Sequence, residues 1–159
     1  MSITINFDDF ALSLGGETGS LGDYQGFSWT KTYVYQLSLA NCSVEKYDYC
    51  TGSTPNIGLI GHPDSQPVTV TSLIGDVSFL SVYVTNPGGS ATDPDGPITV
   101  TIQAFDNETL VGTKTIALAD YTGTVVSLDN ATFKSADRLE ISANGKYFGF
   151  DNLIYDLTP

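Results

Sequence analysis

The chain has 159 residues, of which 41% are hydrophobic and only 15% charged, and 18 acidic against 6 basic side chains give it a net charge of −12. This length fits one domain with a substantial core. The excess of acids argues against nucleic acid and anionic membrane surfaces as partners, because proteins recognise both mainly through Lys and Arg. No apolar run reaches the length of a transmembrane helix. The composition instead suits a bound cation or a neutral ligand such as a sugar.

Strand-like alternation begins at the N-terminus. "TINFDDF", residues 4–10, predicts a first strand that ends in the acidic pair Asp8-Asp9. "WTKTYVYQ", residues 29–36, predicts a further strand. One face of that strand carries Trp29, Lys31, Tyr33 and Tyr35. Such a face is unusual for a core, and it suits a platform on which sugar rings stack. The alternative is that Trp29 is a core residue, as tryptophans often are.

Two cysteines follow in "NCSVEKYDYC", at Cys42 and Cys50. A zinc site is excluded because the chain has a single His and cannot supply the remaining ligands. We therefore predict a local Cys42–Cys50 disulfide, which is typical of secreted proteins. Two free thiols in a cytosolic protein are the alternative.

In several segments of the rest of the chain, apolar and polar side chains alternate with a period of two residues, as in β-strands. The clearest strands are "VSFLSVYV" (77–84), "PITVTIQAF" (97–105) and "RLEISA" (138–143). In the first of them, alternation places Val77, Phe79, Ser81 and Tyr83 on one face and Leu80, Val82 and Val84 on the other. Asn144-Gly145 predicts a two-residue hairpin turn, and no segment has a helical period. Many short strands in one domain, residues 1–159, predict an all-β antiparallel β-sandwich of jelly-roll type.

The last strand, "YFGFDNLIYD", carries a similar pair of one acid and one amide, Asp151-Asn152, and both pairs are called acidic pairs below. The first and last strands of a jelly roll usually lie side by side, so this pair is expected close to Asp8 and Asp9. Neighbouring carboxylates repel one another, and no cationic side chain is adjacent to either pair except Lys146, which lies beyond the alternating stretch. A Ca²⁺ ion bound by Asp, Asn and backbone oxygens would remove the repulsion. The alternative is that the acids cap strand ends in water.

Four segments carry a family resemblance: "INFDDF", "YQGFSW", "ITVTIQAFDNETLVGTKTIAL" and "YFGFDNLIYD". They resemble secreted jelly-roll modules, including carbohydrate-binding modules, MAM-like domains and bacterial cell-surface-anchored β-sandwich domains. The resemblance implies a structural calcium near the paired terminal strands, with Asp9 and Asp151 at its acidic positions and Asp8 and Asn152 as further matches. Residues 40–55 depart from the pattern and are interpreted as a Cys-closed loop insertion.

Catalytic motifs are weak. His62 and Asp64 lie in a Gly/Pro-bounded turn, Asp93 and Asp95 in a polar loop, and no hydrolase or metalloprotease motif is present. The predicted function is a non-catalytic, extracellular or cell-surface carbohydrate-binding (lectin-like) module for a neutral glycan, without nucleic-acid binding or membrane insertion. A structural or adhesive protein-binding module and a small polysaccharide-active enzyme are the alternatives. Since no signal peptide precedes the first strand, we expect a trimmed module of a larger secreted protein.

Overall fold

The computed structural model describes residues 1–11, 21–36, 56–59, 66–86, 96–120, 122–128 and 131–158. These residues form two antiparallel β-sheets. Sheet A contains β1 (Ser2–Ile5), β4 (Tyr33–Gln36), β5 (Asn56–Leu59), β7 (Val77–Asn86), β10 (Thr122–Ser127) and β12 (Gly149–Leu157). Sheet B contains β2 (Gly22–Tyr24), β3 (Phe27–Thr30), β6 (Val68–Ser72), β8 (Ile98–Asp106), β9 (Thr109–Leu118) and β11 (Arg138–Ser142). The predicted antiparallel β-sandwich is confirmed.

The alternating strands bury one face against the opposite sheet. In β8, Ile98, Val100, Ile102 and Ala104 are all buried, while the intervening Thr and Gln side chains are half-buried. Aromatic rings from both sheets fill the core, among them Phe27, Trp29, Phe79, Phe133 and Phe150. No helix occurs among the described residues, and none there is long and apolar enough to cross a membrane.

The first and last strands are neighbours, as the sequence predicts. β1 pairs with β12 in antiparallel register, with Ser2 opposite Asp156 and Ile5 opposite Leu153. Just beyond this ladder the rings of Phe7 and Phe150 meet edge to face, with centroids 5.8 Å apart. Because Asp8 follows Phe7 and Asp151 follows Phe150, the two acidic pairs flank one aromatic contact.

Bulges in β12 and β7 shift the inward face of each strand. Asp151 pairs with Tyr83 but Ile154 pairs with Ser81, so β12 has one extra residue there, at Asn152 with φ +46°. A second shift leaves Leu80 as an extra residue of β7. Strict alternation was therefore wrong for residues 77–84. Four side chains of β7 point into the core, Val77, Phe79, Val82 and Val84, and Tyr83 points outward between two of them.

Two tight turns have different roles. Asn107 and Glu108, at φ +46° and +69°, form the two-residue hairpin that joins β8 to β9. Asn144 and Gly145 also have positive φ, and the Lys146 backbone N–H donates to the Ala143 carbonyl across them at 2.7 Å. The predicted turn is therefore present. The predicted hairpin is not, because β11 and β12 belong to different sheets and the chain crosses between them here.

Candidate functional site

Trp29 does not form an exposed platform. Its side chain is 1% exposed, and its indole N–H donates to the Tyr24 carbonyl at 3.0 Å. The indole lies between the rings of Phe7 and Phe150, with centroids 5.5 and 5.9 Å away. The hypothesis that Trp29 binds a ligand was wrong, and the core alternative is correct.

The physical reason is a turn inside the supposed strand. Lys31 has φ +60°, and the chain passes there from β3 in sheet B to β4 in sheet A. Before the turn the odd-numbered Trp29 is buried, and after it the even-numbered Val34 is buried. The turn therefore changes which residues of the alternating segment face the core. Trp29 and Lys31 therefore do not share one strand face with Tyr33 and Tyr35. Lys31 itself is exposed. Only the backbone is described at Tyr33 and Tyr35, which pair with Leu59 and Ile57.

Asp151 is the buried member of the C-terminal acidic pair. It is 0% exposed, and its Oδ1 accepts a hydrogen bond from the Asn152 backbone N–H at 2.7 Å. The bulge at Asn152 explains why the polar pair fits within a core strand: it restores Leu153 to the inward face after Phe150. Asp151 and Asn152 therefore stabilise the bulge in β12, whether or not they also bind a ligand.

Asp9, by contrast, is exposed and lies beside a tyrosine. The Tyr24 hydroxyl lies 2.5 Å from Asp9 Oδ1 and 2.9 Å from the Asn6 carbonyl oxygen, and it accepts from Gln25 Nε2 at 2.7 Å. Burial raises the pKa of the Tyr24 hydroxyl, and the hydrogen bond to Asp9 raises it further. The hydroxyl therefore stays protonated and holds the segment after β1 against β2. Asp8 is half-buried.

Asp8, Asp9, Asp151 and Asn152 could bind a calcium ion only together with neutral oxygen ligands such as backbone carbonyls. No three His, Cys, Asp or Glu side chains of the described residues lie close enough to share one metal ion. Ca²⁺ takes six to eight oxygen ligands, many of them amide or backbone carbonyls. An ion at the terminal strands would therefore combine at most two carboxylates with Asn152 and backbone carbonyl oxygens.

A different aromatic residue lies on the outer face of sheet A. Tyr83 points away from the core, and its phenol end extends over Gly123 on the neighbouring strand β10. A Cβ atom built on Gly123 would lie 2.1 Å from the Tyr83 hydroxyl oxygen and 2.6 Å from Cζ. Since Tyr83 pairs with Val125, Gly123 is its diagonal neighbour, and the ring must lie along the sheet to reach it.

The surroundings of Tyr83 combine apolar, hydroxyl and carboxylate groups. Asp151 lies opposite it on β12, and Val125, 65% exposed, lies opposite it on β10. The Thr85 hydroxyl donates to the Thr122 carbonyl at 3.2 Å. No strand of sheet A, over the ranges given above, contains Lys or Arg. Asp151 and Thr85 are buried, so Val125 is the exposed side chain beside Tyr83, and the described strands of this sheet contribute no Lys or Arg side chain.

Sequence reasoning missed Tyr83 because strict alternation grouped it with Val77 and Phe79. A usable signal was present: Tyr83 lies between two valines, and Gly123 stands in the neighbouring strand. Several predicted features lie outside the described residues, namely Cys42, Cys50, His62, Asp64, Asp93 and Asp95. The disulfide and the 40–55 insertion stay predictions.

Comparison with known proteins supports the fold. No family model and no curated protein sequence matches the chain. A DUF4465 family protein from Bacteroides caccae superposes with a TM-score of 0.64 at 12% identity, over 99% of this chain and 100% of that one. An MgGH51 α-L-arabinofuranosidase matches with a TM-score of 0.49 at 10% identity, over 85% of this chain and 24% of that one. The C-terminal family 22 carbohydrate-binding module of Clostridium thermocellum Xyn10B matches with a TM-score of 0.48 at 11% identity, over 93% of this chain and 96% of that one. At 12% identity, the likeness to the DUF4465 family protein is one of fold.

Proposed function

We propose that this protein is a non-catalytic, extracellular glycan-binding module, and that the outer face of sheet A around Tyr83 is its ligand surface. The observation that carries the proposal is the Tyr83 side chain extended across Gly123. A tyrosine that lies along a sheet offers its ring to a flat partner, whereas one that stands upright offers mainly an edge. Sugar rings present flat C–H faces of this kind, and the phenol oxygen can hydrogen-bond their hydroxyls.

The charge of this face narrows the ligand to a neutral glycan. The described strands of sheet A contain no basic side chain; Asp151 is buried, Asp156 lies 3.6 Å from the N-terminal ammonium group, and the whole chain carries −12. A polyanionic sugar would be repelled at low salt. One ring contact and a few hydrogen bonds stabilise a complex only weakly, so we expect dissociation constants in the micromolar to millimolar range. Tandem copies in a longer protein would strengthen binding by avidity.

A structural calcium ion belongs to the same proposal. It would be bound by Asp151 and Asn152 of β12 together with Asp8 or Asp9 after β1, and it would join the terminal strands. Asp8 directly follows Phe7 and Asp151 directly follows Phe150, whose rings are in contact, and this supports the placement. Such an ion would stabilise the fold and have no part in chemistry.

A glycan microarray tests the function directly. The wild-type protein and Tyr83→Ala are each applied with calcium and after chelation. We expect wild type to bind neutral glycans and Tyr83→Ala to lose that binding while remaining folded. Leu110→Ala, which truncates an exposed apolar residue on sheet B, is the control and should bind like wild type. Failure of every neutral glycan to bind wild type would remove the proposal.

A further inference from the structure

The last strand of sheet B has an open edge. β9 is ten residues long and ends the strand order of the sheet, and β8 is its only hydrogen-bonded neighbour among the described strands. The opposite edge strand, β2, has only three residues. A long edge strand presents a row of backbone donors and acceptors to which another strand can pair.

The charges on β9 differ from those of the whole chain. Between Thr109 and Leu118 there is no acidic residue, and Lys114 is the only charged one. Two molecules that each carry −12 can therefore approach each other along β9 without direct repulsion between carboxylates of the facing strands. Thr113, Thr115 and Ile116 also favour extended structure. By its backbone and its composition, β9 suits pairing with the β9 strand of a second copy of this chain.

Lys114 opposes that pairing because its charged side chain lies on the core-facing side of sheet B. Its cross-strand partner is Ile102, which is fully buried, so Lys114 projects on the core-facing side of sheet B. Farther along the same side, a Cβ on Gly112 would lie 2.6 Å from the Thr132 carbonyl oxygen, so the chain closes over the sheet there. At Lys114 the side chain still reaches water and is exposed.

We propose that the edge of β9 is a latent self-association surface and that Lys114 keeps a second copy of the chain from pairing there. In an antiparallel β9–β9 pair, the two Lys114 side chains would enter the seam between the joined sheets on the core-facing side. Both ammonium groups would lose water and neither would gain a carboxylate partner from the facing strand. An inward-pointing charge on an edge strand is a recognised protection against such pairing. This inference is independent of glycan binding.

Sedimentation velocity over a wide concentration range tests the proposal with five proteins. We expect wild type to stay monomeric and Lys114→Val to form dimers or larger assemblies. Lys134→Val changes the net charge equally but lies outside β9, so it should stay monomeric. Lys114→Glu should also stay monomeric, because a buried charge of either sign opposes the seam. Lys114→Thr is a second neutral variant should Val perturb folding, and it should associate like Val.

Hydrogen exchange locates the contact. In the associated Lys114→Val protein, amides of β9 should gain protection and those of β2 should not. Three results would overturn the proposal: a monomeric Lys114→Val and Lys114→Thr at every concentration, equal association of Lys134→Val, or a wild-type protein that already associates through β9.

Discussion

The indole of Trp29 lies parallel to the ring of Phe150, with their centroids 5.9 Å apart and their planes inclined by 7°. Trp29 belongs to β3 of sheet B and Phe150 to β12 of sheet A, so this stack joins the two sheets. Phe7 meets both rings edge to face. The segment after the first strand is thereby attached to the last strand and to the core at once.

Trp29→Ala should therefore be a stability variant. Removing a fully buried indole leaves a cavity, and we expect a loss of about 3–5 kcal/mol in the free energy of unfolding. Urea denaturation measures it. The same placement predicts blue-shifted tryptophan emission that acrylamide barely quenches, and this is the only Trp in the chain. Red-shifted, readily quenched emission would contradict the buried position.

Two glycines make a matched pair of variants. In Gly123→Ala the new methyl group meets the phenol end of Tyr83, a flexible side chain that can turn away, so stability should change little and the ligand surface should be lost. In Gly112→Ala the methyl group meets the backbone oxygen of Thr132 at 2.6 Å, which cannot move so easily. Thermal unfolding should show a clear loss for Gly112→Ala only. Equal losses in both would contradict this account of Tyr83.

Chelation tests the proposed calcium. If Ca²⁺ binds only the folded state, it stabilises by about 2.7 kcal/mol at a hundredfold excess over its dissociation constant. EGTA should therefore lower the melting temperature of the wild-type protein. Asp151→Asn, which keeps the size of the side chain and an acceptor for the Asn152 N–H, should melt lower and no longer respond to EGTA. An identical wild-type curve before and after thorough chelation would refute the ion.

A surface ion pair on sheet B gives a pH prediction. Arg138 Nη1 and Nη2 donate to the two carboxylate oxygens of Glu108 at 2.5 and 3.0 Å, and the guanidinium stacks 4.5 Å from the Phe105 ring centroid. The hydrogen bond from Arg138, and then its charge, lower the pKa of Glu108 below its ordinary value of 4.5.

A lowered carboxylate pKa means that the folded state binds fewer protons than the unfolded state. The contribution of the pair is therefore complete above pH 4.5 and is lost as the pH falls through the folded-state pKa. Because Glu108 is fully exposed, the effect should be small. Melting curves of wild type and Glu108→Gln should converge as the pH is lowered below that range. A constant difference at all pH values would show that the pair does not titrate as described.

Sequence reasoning predicted the fold well and the orientation of two aromatic side chains, Trp29 and Tyr83, poorly. Period-two segments such as 97–105 determine which side chains are buried, and they predicted the sandwich and the pairing of its terminal strands. The prediction of an exposed Trp29 was wrong because one residue with positive φ, Lys31, divides an alternating segment between two sheets. The prediction that Tyr83 shares a face with Val77 and Phe79 was wrong because the bulge at Leu80 reverses which side chains point inward within β7. Both errors arise from backbone irregularities that long-range packing stabilises and that local composition does not encode.

The central claim, glycan binding through Tyr83, is tested most directly by titrating one neutral oligosaccharide into three proteins by calorimetry. Tyr83→Phe keeps the ring and should bind within a few-fold of wild type. Tyr83→Ala removes the ring and should bind at least about tenfold more weakly, a difference of about 1.4 kcal/mol, in a protein that remains folded. Wild-type affinity in a folded Tyr83→Ala protein would contradict the claim.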